Sequence, residues 1–276
     1  MKTKRDVYIV SDSAGDTAFN VAKAALSEFD DLEVNYQRYP FINNSDKVAA
    51  VLNKVNENKD NAILFFTIVS PKDAQYVVDF CNTNGICAYD IMSPILSVIE
   101  KNTKLSPSHK IGAVHQLDSG YFDMISAVEF ALLNDDGQHP AGFKEADVVL
   151  LGVSRTSKTP LSLFLANSNI KVANLPLVPK AQIPEELWDV DPKRIVGLTT
   201  DLNVLKKIRR QRMIAYGLNP DTVYSDESEL KEELDYSEKL YDKLGCLVIN
   251  TADRSIEETA SIIMEKLNLG HFSAKK

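Results

Sequence analysis

The chain has 276 residues, 44% of them hydrophobic and 25% charged, with a formal net charge of -8 at pH 7. This is ordinary globular composition at a length for which two domains are the natural expectation. The acidic balance argues against general nucleic-acid binding, and no apolar run is long enough for a membrane span or an N-terminal targeting segment.

Residues 7–10 read as a first strand, followed by a turn and a helix ending near Phe29, and residues 32–39 read as a second strand. Ser45 caps a helix through Val55, and residues 62–69 form a buried strand. Pro71 opens another helix that Gly85 closes, and residues 86–89 are the next strand. From Asp118 to Asp136 a helix carries Tyr121, Ile125, Val128 and Leu132 on one face. The run Gly137-Gln138-His139-Pro140-Ala141-Gly142 then breaks the pattern, so the domain boundary is expected there: residues 1–140 as an N-terminal α/β domain and 141–276 as a second. The second half restarts the alternation, with strands at 148–151, 171–175, 194–198 and 246–249. A basic helix capped by Asp201 runs to about Tyr216, an acidic helix covers 227–244, and a last helix begins near Ser255. Strands alternating with helices predict mainly parallel sheets covered on both faces; the second domain has the layout of a small nucleotide kinase. There is no internal sequence repeat and no low-complexity tract.

The most informative stretch is Gly152-Val153-Ser154-Arg155-Thr156-Ser157-Lys158-Thr159, directly after the apolar run 148–151 and directly before Pro160 and an apolar helix. Strand, turn and helix in that order converge backbone N–H groups and a helix N-terminus on an anion. The spacing matches the phosphate-binding loop G-x-x-x-x-G-K-[ST], with Lys158 reaching the outer phosphates and Thr159 placed for a metal. Ser157 departs from it by replacing the second glycine.

Other constellations leave two readings open each. The turn Ser11-Asp12-Ser13-Ala14-Gly15-Asp16-Thr17 lies at the carboxyl end of the first strand, where α/β sheets place ligands, but an N-cap and tight turn use the same residues. Asp135 and Asp136 oppose the helix dipole; one of them can accept a hydroxyl proton in phosphoryl transfer, or both simply end the helix. Lys206, Arg209 and Arg210 share a helix face and either neutralise a phosphoryl group or balance the acidic segment starting at Asp226. Asp201 is a magnesium candidate or an N-cap. The cysteines Cys81, Cys87 and Cys246 lack zinc spacing and fit a reducing, cytoplasmic setting, and His109, His115, His139 and His271 are assigned no chemistry.

The chain resembles the pyruvate, phosphate dikinase regulatory protein family, which includes the phosphoenolpyruvate synthase regulators. The resemblance rests on residues 10–18, 118–122, 134–137, 146–162, 171–174, 197–199 and 208–209, nearly end to end. It implies a bifunctional transferase. One activity is an ADP-dependent serine/threonine kinase that phosphorylates a threonine of the dikinase and releases AMP. The other removes that phosphate with inorganic phosphate, giving pyrophosphate. The same chemistry on phosphoenolpyruvate synthase is one alternative, and a small-metabolite kinase is another. Carried over by residue, the resemblance assigns 152–159 to ADP or phosphate, with Mg²⁺ as the expected metal, Lys158 to charge neutralisation and Asp136 to the threonine proton. The family's lysine shortly before that acid aligns with Leu133 here, and Lys206 or Arg209 are the substitutes expected. The implied partner is the target enzyme, with no nucleic acid or membrane, and a homodimer is compatible with this reading.

Overall fold

The computed structural model describes residues 2–113 and 119–269. The chain divides into two compact units, Met1–Gln116 and Leu117–Lys276. The expected boundary at residues 140/141 therefore falls inside the second unit. The reason is packing: the helix before that turn buries Ala127 and Ala131 against Ala166 and Leu163, which lie beyond the turn.

The first unit is built from β1 (Thr3–Ser11), α1 (Asp16–Leu26), β2 (Leu32–Tyr39), α2 (Ser45–Glu57), β3 (Ala62–Thr67), α3 (Pro71–Asn84), β4 (Cys87–Asp90) and α4 (Met92–Thr103). The strands are all parallel in the order β2-β1-β3-β4. Alternation along β1 decides which face each side chain covers. Tyr8 and Val10 pack with Leu64 and Phe66 under α2 and α3, and Val7 and Ile9 pack with Ala18 and Ala22 of α1. Caps set the helix starts: Asn44, one residue before the expected Ser45, accepts the Lys47 N–H at 2.9 Å, and Ser70 caps α3 with Pro71 in its first turn. Helix α4 was missed in the sequence: Met92, Ile95, Leu96 and Ile99 recur at helical spacing and were the available signal, although none of its residues is buried.

The second unit contains α5 (Ser119–Leu133), β5 (Val148–Gly152), α6 (Lys158–Ala166), β6 (Val172–Pro176), β7 (Ile195–Thr199), α7 (Leu202–Ala215), α8 (Glu227–Leu244), β8 (Leu247–Asn250) and α9 (Ile256–Lys266). Its parallel sheet runs β6-β5-β7-β8. The two units thus share one strand order without a detectable sequence repeat. Strand β5 is buried on both faces: Val148 and Leu150 pack with α6 and α9, and Val149 and Leu151 with Tyr241 and Leu244 of α8. That double burial explains its unbroken apolar run. The face expected for α5 is only partly the buried one: Val128 packs with Ala127 and Ala131, while Tyr121 is exposed. Leu132 is 60% exposed while the small Ala127 and Ala131 let the helix approach α6 closely. Asp226 caps α8 through the N–H groups of Ser228 and Glu229, and Ser255 with Glu258 forms a capping box on α9. No helix among the described residues is long and apolar enough to cross a membrane.

Candidate functional site

Strand β5 ends at Gly152, where a side chain has no room: an added Cβ would lie 3.0 Å from the Leu198 carbonyl and against the Thr156 hydroxyl. The chain then turns tightly through residues 153–157 into α6. Arg155 (φ 79°) and Ser157 (φ 64°) both adopt left-handed backbone that non-glycine residues avoid. Ser157 tolerates this as the residue before α6, so the missing second glycine does not prevent the turn. Thr156, fully buried, closes the loop by donating to the Val153 carbonyl at 3.0 Å.

Lys158 begins α6 and is only 6% exposed. Its ammonium donates to the carbonyls of Gly152 and Val153, at 2.9 and 3.0 Å. Burial is the main cause that lowers its pKa to about 8, partly offset by the charges of Asp136 and Asp135. A cavity of about 470 Å³ opens over this loop, lined by Asp136, Ser154, Arg155, Ser157, Lys158, Thr159, Pro160, Pro176 and Ile208. The loop with its lysine and the carboxylate, picked out separately in the sequence, therefore converge on one space.

The two aspartates divide into different environments. Helix α5 stops at Leu133, and residues Asp135–Gly137 form a separate single turn, so neither acid sits inside the helix end. Asp135 is half-buried and accepts the Thr159 hydroxyl at 3.0 Å and the Asn174 side-chain amide at 2.5 Å, both at Oδ1. Asp136 is exposed, at φ 52°, and its backbone N–H donates to Asn174 Oδ1 at 3.1 Å. With its hydrogen committed to Asp135, the Thr159 oxygen can offer only lone pairs to other groups, which fits a hard cation.

The substitute cations expected on α7 do not face this cavity. Arg209 is 1% exposed and forms a strut: it pairs with Glu233 of α8 at 2.5 Å, donates to the Ser154 and Tyr224 carbonyls at 3.1 Å, and lies over the Tyr224 ring. Lys206 pairs with Glu227 at 2.8 Å, so Lys206 and Arg209 balance the acidic segment, whereas Arg210 pairs with Asp221 ahead of it. Leu133 is exposed. Besides Lys158, the cation lining the cavity is Arg155, whose Nε donates to the Tyr224 hydroxyl at 3.1 Å. That hydroxyl also meets Ser154 Oγ at 3.2 Å. Tyr224 and Asn174 were missed in the sequence. A polar residue interrupting the buried strand 172–175 was the available signal for Asn174; for Tyr224 there was none. Asp201 precedes α7 without a side-chain cap and accepts the Asn250 amide at 2.9 Å.

The turn after β1 is the second feature at strand carboxyl ends. Gly15, at φ 85°, starts α1 without a side-chain cap, a conformation only glycine adopts freely. The buried Ser11 hydroxyl accepts from Thr67 at 3.0 Å and from the Ser13 N–H at 3.1 Å. Asp12 is 5% exposed and accepts the Val69 N–H at 2.7 Å, and burial raises its pKa. These groups line a cavity of about 400 Å³ together with Met92, Leu96 and His109. Asp118, from the expected 118–122 segment, and His115 and His271 lie outside the described residues.

Residues 7–264 match the family model described as kinase/pyrophosphorylase. A relative from Lacticaseibacillus casei (strain BL23) is 56% identical over 272 residues, covering 99% of this chain and 98% of its own. Others from Lactobacillus helveticus (strain DPC 4571) and Lactiplantibacillus plantarum are each 54% identical, over 97% and 95% of the chain and 96% of their own lengths. All three carry the name pyruvate, phosphate dikinase regulatory protein.

Proposed function

The chain belongs to the kinase/pyrophosphorylase family, and on that premise we propose that it regulates pyruvate, phosphate dikinase by reversible phosphorylation of a threonine. In one direction ADP donates its β-phosphoryl group and AMP leaves. In the other, inorganic phosphate takes the group from phosphothreonine and pyrophosphate leaves. The relatives' names support the target. The observation that carries the chemistry is the convergence of Lys158, Asp136 and the N-terminus of α6 on one cavity.

Each residue has a distinct task. Backbone N–H groups at the start of α6 and the Lys158 ammonium hold phosphate oxygens and balance the charge that spreads over them in transfer. Arg155 is the second cation at the cavity and takes the place expected for Lys206 or Arg209. Asp136, exposed at the cavity edge, accepts the proton of the threonine hydroxyl as its oxygen bonds to phosphorus, and returns it when phosphate attacks phosphothreonine. A magnesium ion carried with ADP would be held by Thr159 and would supply further charge neutralisation. Positioning and electrostatics are what such transfer needs, and one loop can serve ADP and phosphate in turn because both present the same oxygens.

The test is to incubate the protein with purified dikinase or phosphoenolpyruvate synthase and either ADP or ATP, each freed of contaminating nucleotide. AMP release and phosphothreonine are then followed by mass spectrometry. Threonine modification of the dikinase with ADP is expected, with transfer from ATP slow because its terminal phosphate falls out of register. Modification of the synthase alone moves the target. Efficient transfer from ATP, or no modification of either protein with ADP, overturns the proposal.

A further inference from the structure

Asn174 sits in the middle of β6, is fully buried, and has the apolar Ala173 and Leu175 on either side. Burying an amide among apolar side chains is unfavourable unless every polar atom is satisfied. Here they are, but by the site and not by the sheet. The amide nitrogen donates to Asp135 Oδ1 at 2.5 Å and to Ser162 Oγ at 3.3 Å, and the amide oxygen accepts the Asp136 N–H at 3.1 Å. The Asn174 backbone N–H adds a bond to the Asn134 carbonyl at 3.1 Å, so one residue grips three consecutive positions of the turn. Ser162 donates its own hydrogen to the Lys158 carbonyl at 3.0 Å, which ties the same amide to the first residue of α6.

Only an amide can meet this pattern, because it must donate to a carboxylate and accept from an N–H about two atoms apart. Asp135 in turn takes the Thr159 hydroxyl on the oxygen that Asn174 holds. The turn bearing Asp136 and the loop bearing Lys158 come from opposite sides of β5 in sequence, and Asn174 is where both are fastened. Asp136 itself stands in left-handed backbone, which aspartate tolerates better than most residues, and its N–H bond to Asn174 holds it there.

We propose that Asn174, acting through Asp135, is a positioning residue for phosphoryl transfer: it sets the Asp136 carboxylate relative to Lys158 and points the Thr159 lone pairs into the cavity. This rests on the function proposed above. It adds a residue that touches no substrate, and it gives Asp135 a role different from that of Asp136.

The experiment compares wild type with Asn174→Leu and Asn174→Asp, in the full chain, with ADP-dependent transfer and pyrophosphate-forming dephosphorylation measured separately. Asn174→Leu keeps the branched shape, with bulkier methyl groups, and removes every side-chain bond. It is expected to lower kcat about 10²-fold in both directions, while KM for ADP stays within about three-fold, because misplacement of the acid slows the chemistry more than binding. Asn174→Asp retains the acceptor and supplies a donor only when protonated. Its turnover is therefore expected to approach wild type at acid pH and to fall as pH rises, since the deprotonated carboxylate repels Asp135. Should Asn174→Leu not fold, as judged by circular dichroism, the Asn174→Asp pH profile decides. Wild-type kcat in a folded Asn174→Leu, or an Asn174→Asp profile that overlays wild type, overturns the inference. Absence of turnover in the wild type itself overturns the proposed function instead, so the two failures are distinguishable.

Discussion

Replacing Lys158 with methionine separates its electrostatic role from its bulk. Burial lowers the lysine pKa from 10.5 to about 8 in the folded protein. The folded-state value lies below the unfolded one, so between about pH 8 and 10.5 the unfolded chain binds more protons, and stability rises with pH in that window. Below pH 8 the folded state carries the full penalty of a desolvated charge. At 1.36 kcal/mol per pH unit, the wild type gains about 2 kcal/mol between pH 7 and pH 9.5 from this group alone. Methionine carries no proton, so the stability difference between the two proteins, from urea unfolding at each pH, should shift by that amount in favour of the wild type. All other titrating groups cancel in the difference. In activity, wild-type kcat/KM should fall as pH rises through about 8 while Lys158→Met transfers nothing in either direction. A stability difference that is flat with pH would show that Lys158 is not desolvated. A variant that still forms pyrophosphate at near wild-type rate would show that charge at this position is dispensable.

Asp136→Asn keeps a residue type that tolerates left-handed backbone but removes the proton acceptor, so transfer should drop about 10²–10⁴-fold with ADP affinity within a few-fold, measured by steady-state turnover and calorimetry. Unchanged turnover would return Asp136 to a purely structural turn residue. Arg209→Met should destabilise the protein by about 3 kcal/mol in urea unfolding, because it leaves the Ser154 and Tyr224 carbonyls and Glu233 without their cation. A loss below about 1 kcal/mol would mean that Arg209 is not a strut.

Much of this architecture was legible in the chain because it follows from local periodicity. The apolar runs that became β5, β6, β7 and β8 and the starts of the acidic helix and of the last helix near Ser255 are short-range signals, and each element formed within a residue or two of expectation. The loop at 152–159 was legible for the same reason, since its spacing directly follows a strand and opens a helix. The limits of the sequence lay wherever a side chain's role depends on what stands across from it. Helical spacing placed Arg209 and Lys206 on one face of α7, but only the packing of α8 beside it showed that both are taken by Glu233 and Glu227. The face of α5 was partly misread because apolar size suggested Tyr121 and Leu132, whereas close approach to α6 selects the small Ala127 and Ala131. Position 140 looked like a boundary because glycine and proline break local pattern, yet domain division is set by long-range packing. Asp135 and Asp136 are chemically identical neighbours in sequence. Their distinction, one held by Thr159 and Asn174 and the other exposed at the cavity, exists only once β6, α6 and the turn are brought together.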